Sequence, residues 1–252
     1  MKWTEIPSGQ THRAFNTLMT AFDDRADVIV DQVNSDEGVA NRIAVLCLNN
    51  GFEPSTGQQD ARRIMGNNIF GIEEAIKHFG VAPTKRQLAY MAEVPYSEAT
   101  LIACKDTHIL AAVFRLSGME VREKAKSQKV FCQQDWYDNQ PFAHDKGMLE
   151  WQFVRKTPVD DSTRKTWDEQ QFLLDKSEET PKFQVLAYTV VGHFLATGER
   201  LFEGAYVRCA DLDSDGNLVL LRFDPDGLSV NNYHDGARDG SIAVSSARKQ
   251  ES

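Results

Sequence analysis

An aspartate cluster near the C-terminus is the first stretch whose residue types and spacing could bind a metal ion. Asp211-Leu212-Asp213-Ser214-Asp215-Gly216 matches the start of an EF-hand calcium loop, which has oxygen ligands at positions 1, 3 and 5 and glycine at position 6. The glutamate expected at position 12 is replaced by Arg222, and the flanking residues have the pattern of strands. The sequence therefore favours a hairpin turn over a calcium site, with weak calcium binding left open, and we predict no metal site.

The cysteines and histidines could form a nucleophilic or zinc site, but their spacing does not indicate one. They are Cys47, Cys104, Cys132, Cys209, His12, His78, His108, His144, His193 and His234. No CxxC pair or Cys/His pair has zinc-ligand spacing, and there is no GxGxxG, P-loop or HExxH motif. A hydrolase or oxidase built from Cys209, His193 and nearby acids is an open alternative, because such a site can converge in space without a local motif. We predict a protein that is not an enzyme and uses no cofactor.

A second alternative function is DNA binding by residues 84–105, because the run from Gln87 to Leu101 has the spacing of a helix-turn-helix. The turn position that usually carries glycine is Glu93, and the second helix has Lys105 as its one base. Residues 77–105 contain 4 basic and 2 acidic side chains, so their net charge is 4 − 2 = +2. That charge is small for a phosphate-binding surface, and helical packing is the simpler interpretation.

The composition limits the classes of protein that these residues could belong to. The chain has 252 residues, 41% of them hydrophobic, with 28 basic and 37 acidic side chains and a net charge of −9. That length and composition suit one large or two small globular domains, and the acidity argues against general nucleic-acid binding. There is no secretory h-region and no run of about 18 apolar residues. We expect a cytoplasmic protein with reduced cysteines and no membrane span.

Before residue 146 the pattern is mainly helical. Residues 12–33 have helical spacing, residues 43–48 are an apolar run of undecided structure, and residues 49–55 are a turn cluster. Further helices and strands are predicted from caps and apolar runs. They are a helix from the capping box Thr56–Gln59 to near Gly66, helices Ile72–Phe79, Thr84–Glu93 and Ser97–Lys105, strand His108–Leu116, a polar helix over 118–128, and strand Trp151–Arg155.

After Trp151 two capped helices precede a series of short strands. The capping box Thr166–Glu169 predicts a helix over 166–174, and Thr180 as N-cap with Pro181 predicts a helix over 181–197 that ends at Gly198. The strands then expected are Tyr206–Cys209, Leu218–Phe223, Leu228–Val230 and Ser241–Ser245, separated by turns that end in Asp-Gly. Asp-Gly supplies the positive φ angles that tight hairpins need, so we predict an antiparallel meander.

The polar and aromatic run Asn231-Asn232-Tyr233-His234-Asp235 is typical of a binding loop. Tyrosine gives a rigid amphipathic contact surface, and asparagine, aspartate and histidine give adaptable hydrogen bonds. A solvated hairpin loop is the alternative. We predict a ligand-binding surface on the exposed side chains of the meander, made of Asn217, Val219, Leu221, Asp224, Asp226, Ser229, Asn231, Asn232, Tyr233, His234, Arg238 and Asp239.

The C-terminal part resembles the variable proteins of diversity-generating retroelements, which have a C-type-lectin-like fold. The resemblance rests on the two capped helices, the short-stranded meander, and the end piece Ser241–Lys249, which is similar to the family's "IGVSSARK" ending with Ala243 in place of glycine. Pro158-Val159 with Trp167 and Asp168 faintly resembles formylglycine-generating enzyme relatives, whose "RGGSW" segment is absent, so no enzymatic role is implied. The resemblance implies that residues 217–238 are hypervariable and bind a protein or other macromolecular ligand.

The expected architecture is therefore an α+β protein with two parts. Residues 1–145 form a mainly helical N-terminal region, and residues 146–252 form a C-type-lectin-like ligand-display domain.

Overall fold

The structure of the protein is a computed structural model that describes Thr20, residues 26–35, Gly38 and residues 52–251. The chain divides into two compact units, residues 1–53 and residues 54–252. In the first unit the described helix is α1, Ala26–Ser35, which overlaps the helix predicted over 12–33. The rest of that prediction, and the apolar run 43–48, lie outside the described residues.

The second unit contains both helices and strands, so the α+β class is confirmed. Its helices are α2 (Thr56–Met65), α3 (Ile72–Phe79), α4 (Lys85–Tyr90), α5 (Glu98–Cys104), α6 (Gly118–Lys124), α7 (Pro141–His144), α8 (Trp167–Gln171) and α9 (Phe183–Thr197). Its strands are β1 (Ile69–Phe70), β2 (His108–Val113), β3 (Glu150–Arg155), β4 (Glu178–Glu179), β5 (Tyr206–Leu212), β6 (Leu218–Asp224), β7 (Gly227–Tyr233), β8 (Ile242–Val244) and β9 (Ala247–Arg248). Among the described helices, none is long and apolar enough to cross a membrane.

Side-chain caps explain where most of the helices begin. Thr84, Ser97 and Thr166 each accept a hydrogen bond from a first-turn backbone N–H, as the sequence predicted. For α2 the predicted capping box is displaced by one residue, because Ser55 rather than Thr56 is the N-cap and pairs with Gln58.

The start of α9 was predicted two residues too early. Its N-cap is Lys182, which has no capping side chain, whereas the Thr180 hydroxyl is hydrogen-bonded to Gln171. The carboxylate of Asp211 on β5 accepts the hydrogen bond from the Phe183 N–H instead. This cap comes from a residue distant in sequence, so the local pattern could not reveal it.

The strands form two sheets. The first has the order β1-β2-β3-β9-β4, with β1 parallel to β2 and the other pairs antiparallel. The second has the order β7-β6-β5-β8, in which β5, β6 and β7 form the predicted meander and β8 lies parallel to β5. Because β7 and β8 occupy opposite edges, the connection between them must cross one face of the sheet.

The predicted division at residue 145 does not coincide with a division of the structure. Strand β2 lies before that position, yet it pairs with β3 along its whole length, from His108 opposite Arg155 to Val113 opposite Glu150. Residues 54–145 therefore belong to the same compact unit as residues 146–252.

Helix α9 lies in the core and contacts β2 of the first sheet and both β5 and β6 of the second. Its buried Tyr188 donates a hydrogen bond to the Ala112 carbonyl at 3.0 Å. Gly192 allows close approach to the first sheet, because a Cβ atom there would lie 2.7 Å from the ring of Phe70. Burial on all sides explains why α9 has an apolar surface wider than the single stripe predicted from its sequence.

The outer edge of β7 is covered by residues 130–136, which we call the edge segment. Leu228 exchanges backbone hydrogen bonds with Val130 and Cys132. The side chain of Gln134 then takes the place of a peptide group, because its amide oxygen accepts from the Val230 N–H at 2.9 Å and its amide nitrogen donates to the Val230 carbonyl at 3.1 Å. The edge of β7 is thus closed as far as Val230.

Candidate ligand-display face

The two faces of the β5–β8 sheet have different coverings. Val207 pairs with Leu221, and Leu221 with Val230, so these residues share the face that α9 covers. The opposite face carries Arg208, Leu220 and the side chains in register with them. Residues 234–241, which we call the crossover, connect β7 to β8 over this opposite face.

Arg208 fixes the backbone of the crossover to the sheet. Its guanidinium is 0% exposed and donates to the carbonyls of His234 at 3.3 Å and Ala237 at 3.1 Å. It also donates to the Gln170 side chain at 2.8 Å and to the Lys165 carbonyl at 3.3 Å. Burial lowers the pKa of this guanidinium, and the charge of Asp235 opposes the shift. One buried side chain therefore holds the crossover, α8 and the loop before α8 together.

The side chains of the crossover point outward although its backbone is held. His234, Asp235, Arg238 and Asp239 are all exposed, whereas Ala237 is buried. Arg238 forms an ion pair with Glu169 of α8 at 2.7 Å, and the Trp167 N–H donates to the Asp235 carbonyl. The pKa of Glu169 is lowered by the backbone hydrogen bond from Thr166 and then by Arg238. The crossover and α8 consequently form one continuous surface.

A second group of polar side chains lies at the start of β7 on the same face. Arg222 lies over the ring of Tyr206, 4.2 Å from its centroid, and pairs with Asp224 at 2.6 Å. The hydroxyl groups of Tyr206 and Ser229 are 3.2 Å apart. At the other end of the strand, Tyr233 is 42% exposed and stacks on His234 with a centroid distance of 5.2 Å.

The predicted ligand-binding residues divide into two groups by exposure. The side chains at the surface or at its margin are Asn217, Asp224, Asp226, Asn231, Asn232, Tyr233, His234, Arg238 and Asp239. The prediction that Val219, Leu221 and Ser229 are exposed is wrong. Val219 and Leu221 lie on the inner strand β6 and point toward α9, whereas Ser229 on β7 is buried with its hydroxyl 3.2 Å from that of Tyr206.

The predicted loop at Asn231–Tyr233 is the last part of β7 rather than a loop. Leu218 pairs with Tyr233 and Leu220 with Asn231, so these polar residues complete the ladder of the meander. Their polar composition reflects exposure at an edge strand, which composition alone does not distinguish from a loop.

The carboxylates of the EF-hand-like run are engaged by the protein itself. Asp211 caps α9, and Asp213 accepts hydrogen bonds from the backbone of Asp215 and Asn217 and from the side chain of Asn232. Burial acts to raise the pKa of Asp213, but these hydrogen bonds outweigh it and lower the pKa overall. No group of metal-ligating side chains is found among the described residues. The arrangement is that of a hairpin turn.

The residues of the suggested enzymatic site have different surroundings. Cys209 is fully buried on β5, and burial raises its thiol pKa well above the usual value, so the thiol stays protonated. His193 is buried on α9 and its Nε2 lies 2.8 Å from the Glu199 carboxylate. The buried thiol has neither the exposure nor the thiolate character that a nucleophile needs.

The suggested helix-turn-helix consists of α4 and α5. The residues between them run from Met91 to Ser97, a longer connection than the three to four residues of a DNA-binding turn. Leu101 and Cys104 of the second helix face the core, and Ile102 is exposed. DNA binding by residues 84–105 stays a prediction.

Three features of this face were missed by the sequence reasoning. Arg208 was treated as an ordinary strand residue, although it organises the crossover. Gln134 and Trp136, which both contact the Val230 carbonyl, come from a segment that had no predicted structure. Phe172, at the end of α8, is 89% exposed. An arginine within an apolar strand was the one available signal, since a charge there must be paired or hydrogen-bonded.

No family model matches this chain, and no curated protein or solved structure matches it.

Proposed function

We propose that the protein is a ligand-display protein, which presents variable side chains on a C-type-lectin-like scaffold to a protein or other macromolecular ligand. The observation that carries the proposal is the crossover. Its backbone is held by the buried Arg208, while His234, Asp235, Arg238 and Asp239 remain exposed. A fixed backbone lets surface side chains change without disturbing the fold, and a pre-ordered surface loses less entropy on binding.

The chemistry of the surface supports a macromolecular ligand. Tyr233 and His234 offer a stacked aromatic pair. The exposed side chains of Asn231, Arg238 and Asp239, on the same strand and the crossover, add donors, acceptors and both signs of charge. Binding surfaces of antibodies use the same combination of rigid aromatic and adaptable polar contacts.

Two further observations support the lectin-like scaffold and the retroelement family. Strand β9, part of the family-like end piece, pairs antiparallel with β3, so the two ends of the C-terminal part lie together. The asparagine, tyrosine, histidine and aspartate of the display face share adenine-centred codons that differ at the first base. Mutagenesis at adenines would exchange these residues for one another at positions where the fold tolerates exchange.

The gene itself provides the most direct test. We expect a nearby reverse transcriptase gene and a near-copy of the 3′ end of this gene that differs at adenines. Among related copies, changes should concentrate at Asn231, Tyr233 and His234 and spare Arg208. Copies that vary equally at the buried positions of β6, or a locus without a template copy, would exclude the retroelement assignment.

A pair of libraries tests the scaffold independently of the genome. One library randomises five exposed positions: Asn231, Tyr233, His234, Asp235 and Arg238. The matched library randomises five buried ones: Val219, Leu220, Leu221, Ser229 and Val230. Surface display with a conformation-sensitive protease challenge should leave most members of the first library folded and few of the second. Equal survival of the two libraries would contradict the display proposal.

A further inference from the structure

A cavity of about 460 Å³ lies away from the crossover, between three loops. It is lined by Asp106 and Thr107 before β2, by residues 156–158 after β3, and by residues 199–205 between α9 and β5. Its volume is within the range of small-molecule sites in proteins. No part of the display face lines it.

The carboxylates that line the cavity each have a cation within reach. Glu199 pairs with Lys156 at 2.8 Å and also accepts from the buried His193. Asp106 lies 3.4 Å from Lys105, and Glu203 lies 4.0 Å from Arg200. The Lys156 ammonium lies 2.8 Å from each carboxylate oxygen of Glu199 and donates to the Asn68 side chain at 3.0 Å, so its three hydrogens all have acceptors.

Several backbone N–H groups in one of the loops that line this cavity have no hydrogen-bond acceptor among the described residues. The N–H groups from Arg200 to Ala205 donate no hydrogen bond to any described residue. The run is bounded by Glu199, whose N–H donates to the Thr197 hydroxyl, and by Tyr206, whose N–H donates to the Ser241 carbonyl. Leu201 and Phe202 are buried, and Phe202 has a left-handed φ of 60°. Successive N–H groups around a left-handed residue form the concave donor arrangement that binds anions.

We infer that this cavity binds a small organic molecule through an oxyanion group, a carboxylate or a phosphate. The backbone N–H groups of residues 200–205 receive the oxyanion, and Lys156, which also lines the cavity, balances the charge of Glu199 there. Hydrogen bonds from backbone N–H groups satisfy an anion without placing a second full charge in the site. The rest of the cavity, with Pro158 and the Phe202 loop, accommodates the organic body.

Amide chemical shifts of the isotope-labelled full chain test the inference directly. The probes are inorganic phosphate and sodium acetate, each titrated against sodium chloride at equal ionic strength. We expect saturable shifts of the amides of residues 200–205 with phosphate, acetate or both, and the effective probe identifies the oxyanion type. Shifts that do not saturate, or that sodium chloride reproduces, would overturn the inference.

Gly204 offers a matched pair of variants. Gly204→Pro removes one N–H donor, whereas Gly204→Ala retains it, and an added Cβ there meets no atom within 4 Å. We expect the dissociation constant of the effective probe to rise at least threefold in Gly204→Pro and to stay unchanged in Gly204→Ala. Thermal unfolding without anion verifies that both variants are folded. Equal affinity in two folded variants would refute the role of the backbone donors.

Discussion

Replacing Arg208 by methionine should destabilise the protein by about 3 kcal/mol. Methionine fills the aliphatic part of the site, so the loss comes from the guanidinium. The carbonyls of Lys165, His234 and Ala237 lose their common donor, and the loss of each of these hydrogen bonds to a charged group costs about 1 kcal/mol. The variant also loses the hydrogen bond to Gln170, but it no longer has to bury the charge of the guanidinium, and these two effects offset each other.

Urea unfolding followed by tryptophan fluorescence measures this change. With a slope of about 2 kcal/mol per molar urea, a loss of 3 kcal/mol lowers the midpoint by about 1.5 M. The matched control is Arg222→Met on the same sheet face, which removes a partly exposed ion pair with Asp224 and the contact with the Tyr206 ring, and should cost about 1–2 kcal/mol. Hydrogen exchange of the crossover amides should increase in Arg208→Met alone.

Two outcomes would refute the reasoning about Arg208. One is an Arg208→Met protein whose midpoint lies within 0.2 M of the unchanged chain, on the order of the extrapolation error of such measurements. The other is an equal loss in Arg222→Met, which would mean that removal of any arginine from this face is harmful and that the four hydrogen bonds of Arg208 have no special role.

Three further predictions concern the core and the surface. Burial lowers the pKa of His193 despite the opposing effect of Glu199, so the unfolded state binds the proton more readily than the folded state. The free energy of unfolding should therefore fall as the pH drops below about 6.5, by no more than about 1.4 kcal/mol per pH unit. His193→Gln should remove this part of the pH dependence. Gly192→Ala should destabilise by about 1–3 kcal/mol in urea unfolding, because its Cβ would overlap the ring of Phe70, and an unchanged midpoint would show that the ring can move aside. Tyr233→Ser should change stability by less than about 0.5 kcal/mol, since the ring is largely outside the core; a larger loss in thermal unfolding would mean that the display face contributes to the fold.

The sequence predicted the elements whose signals are local. Helix α3 was predicted at its observed bounds, because the apolar spacing from Ile72 to Phe79 ends at Gly80, which adopts a left-handed conformation. Ser97 and Thr166 were recognised as helix starts from the residue types alone, and Thr84, predicted as the first residue of its helix, is the N-cap. These signals depend on neighbours within four residues, so a single sequence contains them in full.

The features that escaped prediction depend on distant partners. The N-terminus of α9 is capped by Asp211, which lies 28 residues further along the chain. The parallel pairing of β8 with β5 turns a simple meander into a sheet crossed by a connection, and no hairpin signal encodes such a crossing. The burial of Val219 and Leu221 follows from α9 covering that face. The exposure of most of the candidate site's polar residues was expected from residue chemistry, and the support of their backbone by Arg208 required the three-dimensional structure.

The hydrogen bonds between the Gln134 side chain and Val230 affect whether substitutions on β7 would lead to aggregation. An unpaired strand edge can pair with the strands of other chains and cause aggregation. Sequence variants of an uncovered β7 would therefore include some that aggregate through this edge. Here the edge segment closes β7 up to Val230, and the Asn231 side chain accepts the next outward N–H, that of Asn232. The edge segment, which lies outside the residues proposed to vary, therefore covers β7 as far as Val230, whereas the cover of the Asn232 N–H depends on residue 231 itself. Under the proposed display function, substitutions at Tyr233 and His234 would leave the pairing of this edge up to Val230 intact.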